Sequence, residues 1–445
     1  MSNSRLRFRL TGWLSSNKLP ADSLAASPRC VAPWFPAASQ FHEEERISFR
    51  TLLRLTRKVL IGIFFMLFLV VAAIQMEGLL VRLPKGPKSE SAGERIGIVH
   101  VHTTASDGSG TLPEVMAAAR EANLSFIAIT DHNVAMTEKD LAADPPDLPI
   151  ISGEEFSTDA GHFIALGLPK SWIAPKTNHN QELLAAAHAA GAFTVLAHPF
   201  HPHAAWTDWQ TSDFDGIEIW NDDAAWRQNN RFALLNSLLL YGVNNQLALV
   251  RVASTPDQNF AKWDELLAER PVPGICAADT HARVPLGHGL FLRFPGYAPS
   301  FRLARQHVLL PPDAGGGDSS LANAPEILDA LRRGHSFCAL DALYPASGFS
   351  FRVSSGASSG GPGDFLTWAG AGRIRISVPS GASLPLIKIF RDGLEIAEGR
   401  TWTVDIPITG AGRYRTEVFL RQPGLTGLRR WTLWAFTNPV YVTAK

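Results

Sequence analysis

The fold is decided by the stretch from Arg95 to Asp107, which reads RIGIVHVHTTASD. Its first part, Ile96–Val101, is a short apolar run typical of a buried strand, and two histidines separated by one residue lie at its end. Residues two apart in a strand lie on the same face, so we expect His100 and His102 to converge. Functional groups of α/β folds collect at the carboxyl ends of strands, because the loops there are free to vary. The stretch therefore predicts one strand of an α/β fold with a candidate site at its end.

Further short apolar runs follow and alternate with segments of helical periodicity. The predicted strands are Ile96–Val101, Phe126–Thr130, Pro149–Ser152, His162–Leu168, Phe193–Ala197, Gly216–Trp220 and Val272–Ala277. The predicted helices are Leu112–Asn123, Gln181–Ala190, Asn230–Tyr241, Ala261–Arg270 and Glu326–Arg333. Strands that alternate with helices indicate βα units and parallel pairing, so we expect an α/β barrel or an open α/β sheet.

Metal-ligating side chains recur at the ends of these predicted strands. His132 closes one run, His198 closes another before a proline, and Asp279 and His281 repeat the one-residue spacing at the end of a third. Histidines buried only for packing would not be expected at the same position of four strands. Imidazole and carboxylate ligands suit zinc, manganese and iron, so the pattern predicts a site for divalent metal ions.

Size and composition exclude several classes of protein. The chain has 445 residues, enough for two or three domains, and its 41 Lys and Arg balance 41 Asp and Glu. Zero formal net charge leaves no electrostatic footprint for a nucleic-acid backbone, so no nucleic-acid partner is expected. A charged fraction of 18% with 12 tryptophans argues against a mainly disordered chain. Three cysteines are too few for a disulfide framework, and we expect Cys276 and Cys338 to lie in the core.

An uncharged apolar segment near the N-terminus predicts a membrane anchor. Val59–Met76 has 18 residues without a charge, which at about 1.5 Å per residue nearly cross a hydrocarbon core of about 30 Å. We assign residues 59–81 to a single transmembrane helix, 1–58 to a basic, disordered leader and 82–94 to a linker. The leader carries ten Lys or Arg and four Asp or Glu, which favours a cytoplasmic N-terminus and an extracytoplasmic body. Cleavage of the leader would make the body a secreted protein.

The sequence pattern changes again near residue 346. Ser354–Gly363 is rich in serine and glycine and is typical of a linker. Beyond it, short segments alternate polar and apolar residues, and Asp392-Gly393 offers a hairpin turn. We therefore expect residues 95–345 to form the α/β domain and residues 346–445 to form a β-sandwich.

Five short motifs, in this order, resemble those of the polymerase-and-histidinol-phosphatase (PHP) family. They are His100-x-His102-Thr103 with Ser106-Asp107-Gly108, Thr130-Asp131-His132, Gly153-Glu154-Glu155, Ala197-His198-Pro199 and Asp279-x-His281. The resemblance spans about residues 95–345, and it implies a distorted (βα)7 barrel, similar to a TIM barrel, that holds two or three divalent ions (manganese, zinc or iron). The segment Trp434–Val442 also resembles exported, membrane-anchored members of the family that carry a C-terminal β domain.

The resemblance implies a set of ligands for each ion. The first ion would be held by His100, His102, Glu155 and Asp279. The second would share Glu155 and add His162 and His198. The third would be held by Asp107, His132 and His281, with Asp107 standing where some relatives have a histidine.

The resemblance also implies roles in catalysis. A metal-bound hydroxide held by Glu155, Asp279 and His281 would be the nucleophile. The candidate substrate-binding residues are His201, Asn221 and Arg283. Glu218-x-x-Asn221 is similar to a strand motif of the family, where packing and substrate binding are both open as roles.

Three functions follow from these features. The leading hypothesis is hydrolysis of a small phosphoester, a mono- or diester, because two or three divalent ions beside three carboxylates leave a cationic centre suited to an anionic substrate. The second is hydrolysis of a carboxylic or carbamate ester or an amide, since few Lys or Arg residues flank the motifs. The third is a membrane-tethered binding module in which the β domain is the functional part.

Overall fold

The structure is a computed structural model that describes residues 49–84, 93–136, 148–169, 172–310, 323–425 and 427–445. The chain divides into two compact units, Met1–Ile63 and Phe64–Lys445. Residues 1–48 of the predicted leader and residues 85–92 of the predicted linker lie outside the described residues.

The apolar segment is helical over a longer range than predicted. Helix α1 runs from Phe49 to Leu80, so residues 49–58 are not the disordered leader that we expected. These ten residues contain three leucines and no glycine or proline, which allows the helix to extend beyond the apolar segment. By length and composition, α1 is the one helix among the described residues that could cross a membrane, and its most apolar 18-residue window is fully exposed.

Seven strands of the second unit close into a barrel. They are β1 Glu94–Val101, β2 Phe126–Ile129, β3 Ile150–Thr158, β4 Gly161–Leu166, β5 Phe193–Leu196, β6 Gly216–Asn221 and β7 Gly274–Thr280. Each strand pairs with the next, and β1 also pairs in parallel with β7, Val99 lying opposite Ala277. This pairing closes the ring, so of the two predicted alternatives the structure has the barrel and not the open sheet.

The prediction that all strands run in parallel is wrong for β4. This strand is antiparallel to both β3 and β5. Only Asp159 and Ala160 separate Thr158 from Gly161, which suffices for a hairpin but not for the crossover that a parallel neighbour needs. Because β4 is reversed, its first residues lie at the same edge of the barrel as the last residues of the other strands.

The helices are more numerous than the sequence pattern predicted. After α1 they are α2 Leu112–Glu121, α3 Asn180–Ala189, α4 Asp222–Arg227, α5 Arg231–Tyr241, α6 Asn245–Val252, α7 Asp257–Glu269, α8 Tyr297–Phe301 and α9 Ala324–Arg332. Four of these, α4 to α7, lie between β6 and β7, where two were predicted. Asn221, Asn230 and Asn244 start three of them, since each side chain accepts a hydrogen bond from a backbone N–H three residues later.

Apolar side chains of β1 divide between two clusters. Val99 of β1 packs with residues of β2, β5 and β7 in a cluster drawn from the inner face of the ring. Its neighbours Ile98 and Val101 pack with residues of α2, such as Val115 and Ala119, in a second cluster. The change from Ile98 to Val99 follows the period-2 geometry of the strand. Val101, two residues after Val99, lies on the helix side because the positive φ of His100 and a register shift interrupt the strand there.

Two further strands connect the barrel to the C-terminal residues. Strand β10 (Arg305–Leu309) pairs with β1 and with β11 (Ser336–Ala339), and β11 pairs in turn with β20 (Gly427–Thr437). This ladder crosses the domain boundary that we placed at residue 345. Cys276 and Cys338 are buried, as predicted, but they also form a disulfide between β7 and β11, which was not expected.

Asn438, which follows β20, adds side-chain contacts to this junction. Its Oδ1 accepts a hydrogen bond of 2.7 Å from the backbone N–H of Gly274 at the start of β7. Its Nδ2 donates to the carbonyl of Gly274 at 3.1 Å and to that of Ser336 at 3.3 Å. The C-terminal residues thus hold one end of a barrel strand.

The C-terminal residues form short strands, as predicted. The remaining strands are β8 Val284–Gly287, β9 Leu290–Leu292, β12 Ser350–Ser355, β13 Ser358–Gly360, β14 Phe365–Thr367, β15 Gly372–Ser377, β16 Leu386–Arg391, β17 Leu394–Arg400, β18 Thr403–Ile408, β19 Gly412–Gly424 and β21 Val440–Thr443. Strands β12, β13, β15 and β18 form one sheet, and the others after residue 346 belong to the sheet that includes β20. Apolar side chains of both sheets, such as Ile374 and Val418, belong to one cluster.

Of two local predictions in the C-terminal residues, the hairpin turn is confirmed and the linker is wrong. Asp392 and Gly393 form the predicted turn between β16 and β17, both with positive φ, as a two-residue hairpin turn requires. Ser354–Gly363, in contrast, is not a linker. It contains the end of β12 and all of β13, which pair as a hairpin in which Gly356 takes a positive φ.

Candidate metal centre

All nine predicted metal ligands lie together at one edge of the barrel. They are His100, His102, Asp107, His132, Glu155, His162, His198, Asp279 and His281. Most lie at or just after the carboxyl ends of their strands. The exception is His162, which lies near the start of β4 and reaches the same edge because that strand runs in the opposite direction.

The carboxylate of Glu155 is the centre of this pocket. Its Oε2 lies 3.1 or 3.2 Å from the Nε2 atoms of three histidines, His100, His102 and His132. Its Oε1 lies 2.9 Å from Nδ1 of His162 and 3.0 Å from Nε2 of His198. Since Glu155 is fully buried, one carboxylate facing five imidazoles is an arrangement suited to bridging metal ions.

Unpaired polar atoms in the pocket fit such ions. Most buried polar atoms of proteins have a hydrogen-bond partner. Six atoms of the candidate ligands are buried without one: His100 Nε2, His102 Nδ1 and Nε2, Glu155 Oε2, His198 Nδ1 and Asp279 Oδ1. Imidazole nitrogens and carboxylate oxygens are the donors that zinc, manganese and iron use, so the residues fit divalent ions of this type.

The ligand atoms form three overlapping groups whose members lie within 4.8 Å of one another. The first is His100, His102, Glu155 and Asp279, the same set that the family resemblance implied for the first ion. The second is His132, Glu155 and His162, and the third is His102, Asp107, His132 and His281. The second group thus has His132 where the resemblance implied His198, and the third adds His102.

Backbone geometry in the pocket departs from that of regular strands. His100, His198 and Asp279 have φ values of 69°, 27° and 49°, and the pairing of β1 with β7 shifts register between Val99 and Val101. Positive φ is uncommon for residues other than glycine, and such residues cluster at functional sites. The regular strand that we assumed for His100 and His102 is therefore only part of the reason why they converge.

Glu218 of β6 orients two of the candidate ligands. Its Oε1 lies 2.6 Å from Nδ1 of His100, and its Oε2 accepts a hydrogen bond of 2.7 Å from the backbone N–H of His198. A carboxylate behind a ligating histidine sets the tautomer and the direction of the ring. Packing and substrate binding were the two roles open for Glu218 from the sequence. The acid inside the apolar run Gly216–Trp220 is the signal that could have indicated its orienting role.

Asn221 contacts one of the candidate ligands. Its Nδ2 donates to Glu218 at 2.9 Å and to Oδ2 of Asp279 at 3.2 Å, and its Oδ1 accepts from the backbone N–H of Ala224. The amide is therefore engaged in positioning Asp279 and starting α4. Asn221 also borders a polar cavity next to His198, so it stays a predicted substrate contact.

Asp131 positions the loop that carries Asp107. It accepts hydrogen bonds from the backbone N–H and the hydroxyl of Thr103, both at 2.7 Å, and from the hydroxyl of Ser106 at 2.6 Å. Asp107 itself is half exposed, with Oδ1 3.3 Å from Nε2 of His281. The loop held by Asp131 thus places a half-exposed carboxylate, that of Asp107, next to the buried ligands.

The charges in the pocket shift the pKa values of its side chains in opposite directions. Burial acts to raise the pKa of Asp107, but hydrogen bonding to His281 and the nearby imidazoles lower it to about 2. Burial acts to lower the pKa of His198, but hydrogen bonding to Glu155 and the charge of Asp279 raise it to about 9. The pKa of His281 also rises to about 9, where burial is outweighed mainly by Asp107.

His132 is the exception among these histidines. Burial lowers its pKa to about 4, and the charge of Glu155 offsets this only in part. The neutral imidazole is the form that binds a metal ion, so His132 is ready to ligate at neutral pH. His198 and His281 hold protons at that pH and must release them on binding.

The two other predicted substrate residues lie at the mouth of the pocket. The ring of His201 lies 5.3 Å from that of His198, and both border a polar cavity of about 260 Å³. Arg283 borders a smaller cavity of about 30 Å³ next to Asp279 and His281, and its Nη1 donates to the carbonyl of Asp107 at 3.3 Å. Both residues stay predicted substrate contacts.

Glu154 lies on the other face of β3 from Glu155. It is buried rather than solvated, and burial raises its pKa to about 7. The resemblance thus selected Glu155, the one of these two carboxylates that faces the histidines.

Comparisons with known proteins give remote similarities. No protein-family model and no curated protein matches the chain. A two-domain protein from Bacteroides vulgatus that contains a predicted PHP-like metal-dependent phosphoesterase is similar at 14% identity and a TM-score of 0.41, over 80% of this chain and 98% of that one. A Bifidobacterium adolescentis protein described as a metal-dependent phosphoesterase is similar at 18% identity and a TM-score of 0.27, over 46% and 94%.

A third solved structure is that of an amidohydrolase from Chromobacterium violaceum with bound sulfate and no metal. Its identity is 14% and its TM-score 0.31, over 53% of this chain and 96% of that one. All three TM-scores are below 0.5, so the case for a metal centre rests on the geometry of the pocket.

Proposed function

We propose that this protein is a metal-dependent hydrolase of the PHP family, and that its substrate is a small, anionic phosphoester. The observation that supports this proposal is the set of six buried, unpaired ligand atoms around Glu155. Nine side chains of the types that hold catalytic divalent ions meet at one edge of a barrel, the edge at which α/β enzymes carry out chemistry.

Two or three ions of manganese, zinc or iron would bind to the three groups of ligands described above. When bound, such ions polarise the oxygens of a substrate and lower the pKa of water to a range where hydroxide is available. Their charge exceeds the three negative charges of Asp107, Glu155 and Asp279. The centre is then cationic, which favours a substrate that carries negative charge.

The chain's own residues hold this centre in place. Glu218 fixes the orientation of His100, and Asn221 fixes that of Asp279. His201 contributes to the neighbouring polar cavity: burial and the charge of His198 lower its pKa, so it is neutral at neutral pH. Its Nδ1 accepts a hydrogen bond from the backbone N–H of His203, which leaves the proton on Nε2 and makes that atom a donor for a substrate oxygen.

A second candidate is the hydrolysis of a carboxylic or carbamate ester or an amide. Arg283 is the one Lys or Arg among the described residues that line the two cavities beside the ligands. Its guanidinium stacks on the ring of Phe291, 4.7 Å from the centroid. A phosphate would therefore depend on the metal ions, with little help from side-chain cations, and a neutral carbonyl needs no such help.

Metal analysis together with a substrate comparison tests both candidates. We expect two to three equivalents of metal in the full-length protein, and their loss, together with loss of turnover, in His100→Ala and Asp279→Ala. His179→Ala, at an exposed histidine, is the matched control. Turnover of an aryl phosphate or aryl phosphodiester above an aryl carboxylate supports the first candidate, and the reverse order supports the second. A folded protein that binds no metal contradicts both and favours a membrane-tethered binding module.

We further propose that α1 is a single-pass anchor with a cytoplasmic N-terminus and that the barrel lies outside the cytoplasm. The length and composition of α1 and the basic residues before it support the anchor. The disulfide between Cys276 and Cys338 supports an oxidising compartment for the body. In intact cells, a membrane-impermeant maleimide should label an introduced Leu394→Cys but not Cys30, which should react only after permeabilisation. The opposite labelling pattern would contradict this orientation.

A further inference from the structure

An apolar groove opens on the surface of the second unit, between α5 and the hairpin β8–β9. It has a volume of about 210 Å³, and Leu234, Leu235, Leu238, Val284 and Leu292 are among the residues that line it. Ser237 is the one polar residue among the described residues of its lining, and its hydroxyl donates to the carbonyl of Ala248 at 2.9 Å. The groove therefore offers a ligand almost no polar partner.

The groove adjoins the small cavity that borders the candidate metal centre. Trp226, Phe294 and Pro295 line the groove and also line the small cavity beside Asp279 and His281. A molecule with a polar group near these two ligands and an apolar chain would extend past Trp226 to reach the groove. Ligand pockets combine apolar walls with a few convergent polar groups in this way.

The apolar surface extends beyond the groove. Phe232 is 85% exposed, Leu235 is 55% exposed and Leu290 at the tip of the hairpin is 69% exposed. Single exposed apolar residues are common on proteins, but contiguous ones mark a site for a ligand or a membrane. Leucines of α5 line the groove and also face solvent, so the outer face of this helix is apolar where a surface helix would be polar.

The end of α1 lies against α5. Nε2 of Gln75 donates to the carbonyl of Leu239 at 2.6 Å, and Nδ2 of Asn244 donates to the carbonyls of Gly78 and Val81 at 3.2 and 3.1 Å. Glu77 is buried and pairs with Arg251 at 2.9 Å and with Arg429 at 2.6 Å. If α1 crosses a membrane, these contacts hold α5 where the chain leaves the bilayer, so the groove faces a source of amphiphilic molecules.

We propose that the groove binds the hydrocarbon chain of an amphiphilic substrate whose phosphoester head group reaches the metal centre. The occupant is thus a single alkyl or acyl chain. The chemistry at the head group rests on the proposed function, whereas the binding of the chain does not. In the reaction, water provides the new P–O bond, the ester P–O bond breaks, and a proton from that water passes to the leaving alcohol.

Binding of alkylphosphonates tests the groove without turnover. Ethyl-, butyl-, hexyl- and octylphosphonate would be titrated calorimetrically into the metal-loaded, full-length protein in lipid nanodiscs, with empty nanodiscs as the blank. Each additional methylene should tighten binding about fourfold until the groove is filled, from about 0.8 kcal/mol per buried methylene and 1.4 kcal/mol per factor of ten. Leu235→Asn with Leu292→Asn should remove this dependence on chain length and leave the affinity for ethylphosphonate unchanged. Leu394→Asn, at a leucine of β17 that is 73% exposed, should behave as wild type.

The outcomes separate the groove from the proposed function. Equal affinities along the series, or a chain-length dependence that the double variant retains, would overturn the groove even if the protein hydrolyses phosphoesters. If no phosphonate binds, labelling with a photoreactive decyl alcohol tests the groove by itself, because this probe carries an alkyl chain and no phosphate. Labelling of the α5 and β8–β9 peptides would then support the groove, whereas the lack of phosphonate binding would contradict the phosphoesterase assignment. Labelling of these peptides only by a bilayer-embedded lipid probe would mean that the membrane surface covers this face, and would overturn the proposal.

Discussion

Oε1 of Glu218 lies 2.6 Å from Nδ1 of His100, and neither side chain has exposed surface. A carboxylate at this distance accepts the Nδ1–H of the ring, so Nε2 is the atom left to bind an ion in the pocket, where it lies 3.1 Å from Oε2 of Glu155. The two residues are 118 positions apart in the chain and come from β6 and β1. The barrel thus brings together a ligand and the group that sets its tautomer.

Glu218→Gln should weaken metal binding by about 10- to 100-fold, the usual effect of losing a group that orients a ligating histidine. The amide keeps the size of the side chain but is a weaker acceptor for His100 and for the backbone N–H of His198. Competition with a chelator of known affinity measures the change. Glu265→Gln, at an exposed acid of α7, is the control, and an affinity equal to wild type in Glu218→Gln would contradict the role of Glu218.

Metal affinity should rise with pH from about pH 6 to about pH 9. The pKa values of His198 and His281 are raised to about 9 by the carboxylates near them, so both rings hold protons at neutral pH that an ion must displace. Titration calorimetry in two buffers of different ionisation enthalpy would count the protons released. Binding without proton release at pH 7 would contradict this prediction.

Asn221→Ala should lower both stability and metal affinity. Loss of Oδ1 removes the hydrogen bond that caps the start of α4, which lowers the free energy of unfolding by about 1 kcal/mol. Loss of Nδ2 removes the hydrogen bond that positions Asp279. Asn230→Ala is a matched control, since Asn230 starts α5 in the same way and contacts no candidate ligand. We expect similar shifts of the thermal midpoint in the two variants and a loss of metal in Asn221→Ala only.

His307 should make the stability of the protein depend on pH, far from the metal ligands. It is fully buried between Oε1 of Glu94 at 2.7 Å and Oδ1 of Asp341 at 3.3 Å. Burial acts to lower the pKa of His307, but Asp341 and Glu94 raise it to about 9. Because the folded pKa lies above the unfolded value of about 6.5, the stabilisation is complete below pH 6.5 and is lost as the pH rises through 9.

The shift of His307 corresponds to about 3 kcal/mol, at 1.36 kcal/mol per pKa unit. His307→Gln should therefore lower the denaturant midpoint at pH 6 and differ less from wild type at pH 9.5. His179→Gln, which removes an exposed ion pair with Asp159, should change neither. A pH-independent difference between wild type and His307→Gln would contradict the prediction.

Much of the site could be predicted because its chemistry is local in the sequence. His100 and His102 end one apolar run, and Asp279 and His281 end another, so the ligands follow from strands and their ends. The orienting contacts could not be predicted, because Glu218 acts on a residue of another strand. The positive φ of His100 accompanies the register shift between β1 and β7, and the spacing of apolar residues in the sequence does not predict such a shift.

The fold was predictable to a similar extent. Apolar runs identified the barrel strands, but the direction of β4 depends on the two-residue turn before it, and a run of apolar residues has no direction. Strand β11 was missed, and its pairing with β20 joins residues about one hundred positions apart, which no local sequence pattern records.

The pairing of β11 with β20 means that the sheet extending from the barrel is not complete until residues 427–437 have been made. A nascent chain that has reached residue 345 lacks the strand that covers β11 and lacks Asn438, which holds the start of β7. Its sheet would end in an exposed, apolar edge of the kind that pairs with other chains. The polypeptide therefore has to be protected from aggregation until residues 427–438 have been made, and truncation at the apparent domain boundary would give an insoluble product.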